Sequence, residues 1–163
     1  MRVPLAIAGV VVVLGAAAAT VAGVRWTAAG EPVSVTAPPG ASTTLPEGAY
    51  ELVVDNRAHE LYVDLRTDRG DPEVDTYAMP LATGWEEVRS AVAGQLDGWK
   101  QAGSCPDRGQ WLVQCAWSEP TRWWPRTVWI VFLRPAPPDD RRSYLWPDNT
   151  VLLIGSARGA DRS

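Results

Sequence analysis

The sequence is poor in the side chains that catalysis and metal binding use most often. Its 163 residues include one histidine, His59, and two cysteines, Cys105 and Cys115. A Ser-His-Asp or Cys-His site would need His59 at its centre, yet this residue follows a predicted turn and no G-x-S-x-G motif occurs. The cysteines also lack the close C-x-x-C type of spacing found in zinc sites. We therefore predict no metal site and no cofactor.

The chain also lacks the charge excess that would indicate a polyanionic partner. Its net charge is −4, so we predict no nucleic-acid partner. Residues 47–99 contain twelve acidic and four basic side chains, whereas residues 100–163 contain nine basic and six acidic ones. We expect the folded domain to interleave the two halves and cancel this asymmetry.

Charge is entirely missing from residues 3–24, a run of 22 residues near the N-terminus. A helix of about 20 apolar residues crosses a bilayer core of roughly 30 Å, and Trp26 follows where the headgroups would lie. We predict a single transmembrane helix here. A secretory signal cleaved at the small residues 17–19 or 22–23 is the alternative, and a buried core helix fits a run that is apolar on all sides less well.

The two cysteines indicate the compartment. Cys105 and Cys115 enclose a short loop, and a disulfide between them would contribute about 2–3 kcal/mol. Because disulfides persist outside the cytoplasm, we expect a single-pass protein of the cell membrane with its C-terminal domain on the extracytoplasmic side, or a secreted protein if the signal is cleaved. The alternative is a pair of unrelated buried thiols.

Composition divides the chain into four parts. Residues 1–26 form the anchor or signal, and residues 27–46, rich in Pro, Thr and Ala, form a linker. Residues 47–158 form the folded domain, and residues 159–163 form a disordered tail.

The domain pattern predicts strands on either side of one helix. Residues 49–55 and 59–65 are rich in β-formers and predict a hairpin, with a third strand over 74–81. Thr83 and Glu86 have the spacing of a capping box, with Thr83 as the N-cap. The helix behind them carries one apolar stripe and ends by Gly103. The stripe consists of Trp85, Val88, Val92, Leu96 and Trp99.

Three further strands are predicted after the helix. Residues 110–117 place Trp111, Val113, Cys115 and Trp117 on one face. Residues 127–134 are apolar on both faces, which is typical of a central strand, and residues 149–156 close the sheet. The fold class is therefore α+β, a mainly antiparallel sheet of five to six strands with one amphipathic helix on a face and a transmembrane helix before it.

One cluster of acids is a candidate for a cation site or a catalytic site. Five carboxylates lie between residues 64 and 75 with Gly70 among them, but their spacing is not that of an EF-hand loop. No pair among the nineteen acids stands out as a glycosidase pair. We interpret the run, which consists of Asp64, Asp68, Asp71, Glu73 and Asp75, as a solvated loop.

Nine tryptophans are the most unusual feature of the composition. Those in predicted strands and in the helix stripe are expected in the core. Three others lie beside prolines in predicted loops, where flat rings and neighbouring arginines form a binding surface or cap the core. The candidate binding residues are Arg122, Trp123, Trp124, Arg126 and Trp146.

The functional expectation is a membrane-anchored cell-envelope protein that acts as a non-enzymatic binding module. The membrane is reached through residues 3–24, and the partner through the loop around Trp123 and Trp124 is a protein or a cell-wall glycan. Two other classes stay open from the sequence. One is a small secreted hydrolase, and the other is an accessory subunit of a membrane complex.

Overall fold

A computed structural model describes residues 3–46, 51–135 and 149–160, the backbone alone being described for residues 3–13 and for Glu51. Within these residues the chain forms one antiparallel five-stranded sheet and three helices, as the predicted α+β class requires. The helices are α1 (Val3–Ala29), α2 (Glu51–Leu65) and α3 (Trp85–Ala93). The strands are β1 (Glu73–Met79), β2 (Lys100–Gln101), β3 (Leu112–Ser118), β4 (Thr127–Leu133) and β5 (Thr150–Ala157).

The strand order in the sheet is β1-β5-β4-β3-β2, with every neighbouring pair antiparallel. Strand β4 lies at the centre, as its apolar residues on both faces predict. Strand β5, predicted to close the sheet, lies inside it between β1 and β4 and is buried along its whole length.

The two faces of the sheet carry separate hydrophobic cores. One face packs against α3 and buries Val128, Ile130 and Phe132 of strand β4. The other packs against α2 and buries Val131 and Leu133 of the same strand. Because side chains alternate between faces along a strand, strand β4 contributes apolar side chains to the core under each helix.

Helix α2 replaces the hairpin predicted over residues 49–65. Its buried side chains, Val54, Leu61 and Leu65, with the half-buried Ala58 between them, are spaced 4, 3 and 4 residues apart. This is helical periodicity, and Val63, which lies between the buried residues Leu61 and Leu65, is exposed. The hairpin prediction was wrong because the β-branched residues suggested strands while the stripe that becomes buried follows a helix.

Helix α3 confirms the first three residues of the predicted apolar stripe, but Leu96 and Trp99 lie beyond its end and neither predicted end is correct. Trp85, Val88 and Val92 are fully buried against the sheet. The N-cap is Gly84, with no side-chain cap, so Thr83 is not the N-cap. The helix ends at Ala93, ten residues before Gly103, and the chain continues through turns that still bury Leu96.

Trp111 also differs from its predicted place. It precedes strand β3 and packs with the core on the α2 face, whereas Val113, Cys115 and Trp117 lie in the core on the α3 face. The prediction of one shared face was wrong because the strand begins only at Leu112.

The segment predicted as a linker lies in part against the sheet. Val35 is buried, the Val33 amide donates to the Ser156 hydroxyl at 2.6 Å, and Ser42 forms a β-bridge with Ala78. At the other end of the chain, Gly159 is buried although we predicted a disordered tail from that residue on; residues 161–163 lie outside the described part. The division into anchor, linker and domain at residues 26 and 46 stays a prediction.

Among the described side chains of helix α1, only those in its last two turns are even partly buried. Leu14, Val21 and Val24 are exposed, and burial begins only near its C-terminal end, where Ala29 is fully buried. Within the described residues, no helix combines the length and the apolar character needed to span a bilayer, so the predicted transmembrane helix is not supported there.

Candidate functional site: the junction between helix α1 and the sheet

Four segments meet at one end of the sheet. The register pairs Ser118 with Thr127 and Thr127 with Ala157, so the β3–β4 loop (residues 119–126) and the C-terminal end of β5 are adjacent. The turn at Thr67 and the C-terminal end of α1 pack against them. We call this contact the junction; its residues are Arg25, Trp26, Arg69, Glu119, Trp124, Arg126 and Gly159.

A buried carboxylate ties helix α1 to the β3–β4 loop. Glu119 accepts hydrogen bonds from Nη2 of Arg25 at 2.8 Å and from Nη2 of Arg126 at 2.6 Å. Its side chain is only 8% exposed. The backbone amide of Arg126 also donates to Glu119, and the amide of Glu119 donates to the Arg126 carbonyl, which closes the loop.

The electrostatics of Glu119 follow from this arrangement. Burial by itself would raise the pKa of the carboxyl, but hydrogen bonds from Arg126 and Arg25 to the ionised form outweigh burial. The pKa of Glu119 is thereby held at about 2, below the ordinary 4.5. The carboxylate is ionised at neutral pH and acts as a fixed ionic link between the helix and the loop.

Aromatic contacts lie beside the ionic link. The rings of Trp26 and Trp124 meet edge to face, with centroids 4.7 Å apart and planes at 84°. The guanidinium of Arg69 lies 3.8 Å from the centroid of the Trp26 ring, and its Nη2 donates to the Trp26 carbonyl at 2.8 Å. Such cation–π and aromatic pairs each contribute about 0.5–2 kcal/mol when they are partly desolvated.

Trp124 has a backbone conformation that supports this packing. Its φ is +49°, in the left-handed region that non-glycine residues seldom occupy. Strain of this kind persists where surrounding contacts fix the residue, and here Trp26 and Gly159 both contact it.

Gly159 closes the junction from the C-terminal side. Its amide donates to the Ala29 carbonyl at 2.9 Å. A Cβ at this position would lie 2.8 Å from Cβ of Ala29 and would clash with the carbonyl oxygen of Trp124. Next to it, Arg158 donates to the carbonyls of Gly30 and Asp71. The donors to Ala29 and Gly30 satisfy carbonyls at the C-terminal end of helix α1, and the arginine complements the negative end of the helix dipole.

The structure separates the predicted binding residues into two groups. Trp124 and Arg126 are half-buried parts of the junction, whereas Arg122 and Trp123 are exposed on the same loop. The Thr121 hydroxyl accepts a hydrogen bond from the Trp123 amide at 3.2 Å, which fixes the turn that presents the ring. Trp146 lies outside the described residues.

Several junction residues were missed by sequence reasoning. Glu119 falls in a predicted loop, Arg69 in the predicted acidic loop and Gly159 in the predicted tail. The charge pairing joins residues 94 positions apart. The sequence contains one signal for part of this pairing. Glu119 lies close to Arg122 and Arg126, and a carboxylate near arginines can form an ion pair with one of them.

The acidic run does not converge on a common point. Asp71 pairs with Arg66 at 3.3 Å, and Asp64 lies on helix α2. Among the described residues, no three His, Cys, Asp or Glu side chains are grouped so that they would hold a metal ion. His59 is exposed on α2, with its ring stacked near Tyr62 at 6.5 Å between centroids.

The disulfide lies at the middle of strand β3, where Cys115 pairs with Ile130 of strand β4. Cys105 and Cys115 are bonded, as predicted, which joins the segment after β2 to strand β3. The Trp85 indole donates to the Cys105 carbonyl at 3.0 Å, and Arg134 forms a bidentate pair with Asp107. The pair lowers the pKa of Asp107 to about 2, chiefly through the hydrogen bonds from Arg134.

Comparison with known proteins gives no further guidance on this site. The chain matches no protein-family model, no curated protein and no solved structure.

Proposed function

We propose that the protein is a membrane-anchored interaction module of the cell envelope, with helix α1 in the membrane and the sheet domain on the extracytoplasmic side. In this proposal the domain has no enzymatic activity of its own and binds a protein or a cell-wall glycan. One observation carries the proposal. From Leu14 to Val24, helix α1 exposes large apolar side chains, while its C-terminal end is fixed to a disulfide-bonded domain.

The exposed side chains of α1 support the membrane part of the proposal. Leu14 is 64% exposed and Val21 is 56% exposed, on a helix without charge until Arg25. Contiguous apolar surface of this kind is costly in water and marks contact with lipid or with another protein. The disulfide supports the extracytoplasmic side, since such bonds are rare in the reducing cytoplasm.

The junction supports the idea of a module held in a defined position. A flexible linker would let the domain move freely, but Arg25 and Trp26, near the C-terminal end of the helix, contact the β3–β4 loop directly. The domain therefore stands next to the membrane surface, and its orientation is set by the helix.

Membrane fractionation with charge substitutions tests the proposal. We expect the full chain to stay in the membrane pellet at its full mass after an alkaline wash. Leu14→Arg with Val21→Arg should release it, because arginine in a membrane helix costs about 2.5–3.5 kcal/mol per residue at the helix centre. Matched controls are Leu52→Arg with Val63→Arg on α2, where exposure is 64% and 55%. These controls should stay in the pellet.

Two results would contradict the proposal. One is a wild-type chain recovered in the soluble fraction at full mass. The other is a chain of reduced mass in the medium, which would mean cleavage of a secretory signal.

A further inference from the structure

The length of helix α1 sets the depth of the junction if the helix is in the membrane, as proposed above. At about 1.5 Å per residue, residues 3–24 extend about 33 Å, close to the thickness of the hydrocarbon core. Arg25 and Trp26 follow at once. They would then lie in the headgroup layer, with the other junction residues at nearly the same depth.

Two exposed tryptophans adjoin Trp124, one through a ring contact and one as its neighbour in the chain. Trp26 contacts the Trp124 ring and is 51% exposed, and Trp123 precedes Trp124 in the chain and is 50% exposed. The ionic link through Glu119 fixes the loop to the helix, so Trp123 cannot move far from the level of Trp26.

The chemistry of this surface suits a phospholipid headgroup layer. Indole rings prefer the membrane–water interface, where the ring contacts acyl chains and the N–H contacts headgroups. Arginine pairs with phosphate through a planar set of donors. In the junction, Arg25 and Arg126 share the Glu119 carboxylate and Arg69 lies over the Trp26 ring, so the arginines outnumber the acid. The exposed Arg122 adds a further positive charge.

We propose that the β3–β4 loop lies in the phospholipid headgroup layer, with Trp123 inserted at the interface and Arg122 beside the phosphates. This inference rests on the membrane anchoring proposed above and deepens it. The loop would act as a second contact with the bilayer that fixes the tilt of the sheet. The opposite end of the sheet, where Leu81 is 64% exposed, would face away from the membrane and be available to a partner.

Fluorine NMR of the full chain in nanodiscs tests this inference. The protein is labelled with fluorotryptophan and placed in an equimolar mixture of phosphatidylcholine and phosphatidylglycerol. Single Trp→Phe variants at Trp26, Trp111 and Trp123 assign three resonances. A nitroxide is then attached to the lipid headgroup. We expect the signals of Trp26 and Trp123 to be lost, while Trp111 at the opposite end of the sheet keeps its signal.

The outcomes separate the two proposals. If the Trp26 signal is broadened and the Trp123 signal is not, the lipid contact of the loop is overturned while the anchoring stands. If neither signal is broadened, the anchoring itself fails. A Trp123 signal that is unaffected by the lipid label but shifts when soluble cell-wall glycan fragments are added would overturn the lipid contact in favour of a glycan site.

Discussion

Nη2 of Arg25, near the end of helix α1, lies 2.8 Å from Oε2 of Glu119, the first residue after strand β3. The same carboxylate pairs with Arg126, so one buried acid holds a guanidinium from the helix and another from the loop. Because helix α1 joins the domain at this point, this pairing determines whether α1 is held rigidly against the domain or can move freely relative to it.

Replacing the acid should weaken the whole junction. We expect Glu119→Gln to lower the free energy of unfolding by about 2–4 kcal/mol, because two partly buried guanidinium groups lose their counter-charge. Thermal denaturation in detergent micelles measures this change. The control is Glu60→Gln, which removes an exposed pair with Arg57 and should cost less than about 0.5 kcal/mol. Equal effects of the two variants would show that Glu119 has no special role.

The depressed pKa of Glu119 predicts an acid-sensitive junction. An acid whose pKa is lower in the folded state stabilises the fold above its ordinary pKa and loses that contribution as the pH falls. For Glu119 the loss should run from about pH 4.5 down to about pH 2. Stability measured across this range should fall less steeply in Glu119→Gln than in the wild type. The control is Asp107→Asn, in which the part of the pH dependence of stability that Glu119 causes should remain. If stability fell equally steeply with pH in the wild type and in Glu119→Gln, Glu119 would not be the source of the acid sensitivity.

A methyl group at Gly159 should separate helix α1 from the loop. The added Cβ in Gly159→Ala would meet Ala29 and the Trp124 carbonyl, and overpacking of this kind costs about 1–3 kcal/mol. Gly23→Ala is the matched control, since its Cβ would enter open space on the same helix. Differential scanning calorimetry should show a lower melting temperature for Gly159→Ala only. A Gly159→Ala protein as stable as the wild type would mean that the close contact is absent.

The disulfide should stabilise the domain independently of the junction. We expect Cys105→Ala with Cys115→Ala to cost about 2–3 kcal/mol, the stabilisation typical of a loop of this length. Alkylation of the unfolded, unreduced wild type should modify no thiol, and after reduction it should modify both. Modification of both cysteines before reduction would contradict the bond and remove its support for an extracytoplasmic domain.

Part of the fold could be predicted because two segments have a hydrophobic pattern that fits only one kind of secondary structure. Strand β4 is apolar on both faces, and only a central strand buries both. The stripe of Trp85, Val88 and Val92 fits a helix and no strand. Helix α2 could not be assigned in this way, since Val53, Val54 and Val63 are β-branched and favour strands locally.

Tertiary contact decides the structure of that ambiguous segment. A Cβ on Gly155 in strand β5 would meet the side chains of Leu61 and Leu65. The glycine therefore permits helix α2 to lie directly on the sheet. A glycine inside a strand pattern is a known sign of close approach, but its partner cannot be identified from the sequence.

The candidate site was predictable only in part for a related reason. Composition singles out Trp123 and Trp124 because tryptophans next to proline in a loop are unusual. Trp124 is half-buried and Trp123 is exposed. This difference depends on the contact of Trp124 with Trp26, which is distant in sequence, and on the pairing of Arg25 with Glu119. Long-range charge pairs leave no periodic pattern that a single sequence would reveal.

The most direct test of a fixed helix is a distance measurement across the junction. Spin labels at Thr20→Cys on α1 and Asp97→Cys after α3 occupy exposed sites, and both native cysteines are held in the disulfide. Pulsed electron resonance on the full chain in nanodiscs should give one narrow distance distribution, which broadens when Glu119→Gln is added. A wild-type distribution as broad as that of the variant would show that helix α1 moves freely and that the junction does not hold the domain.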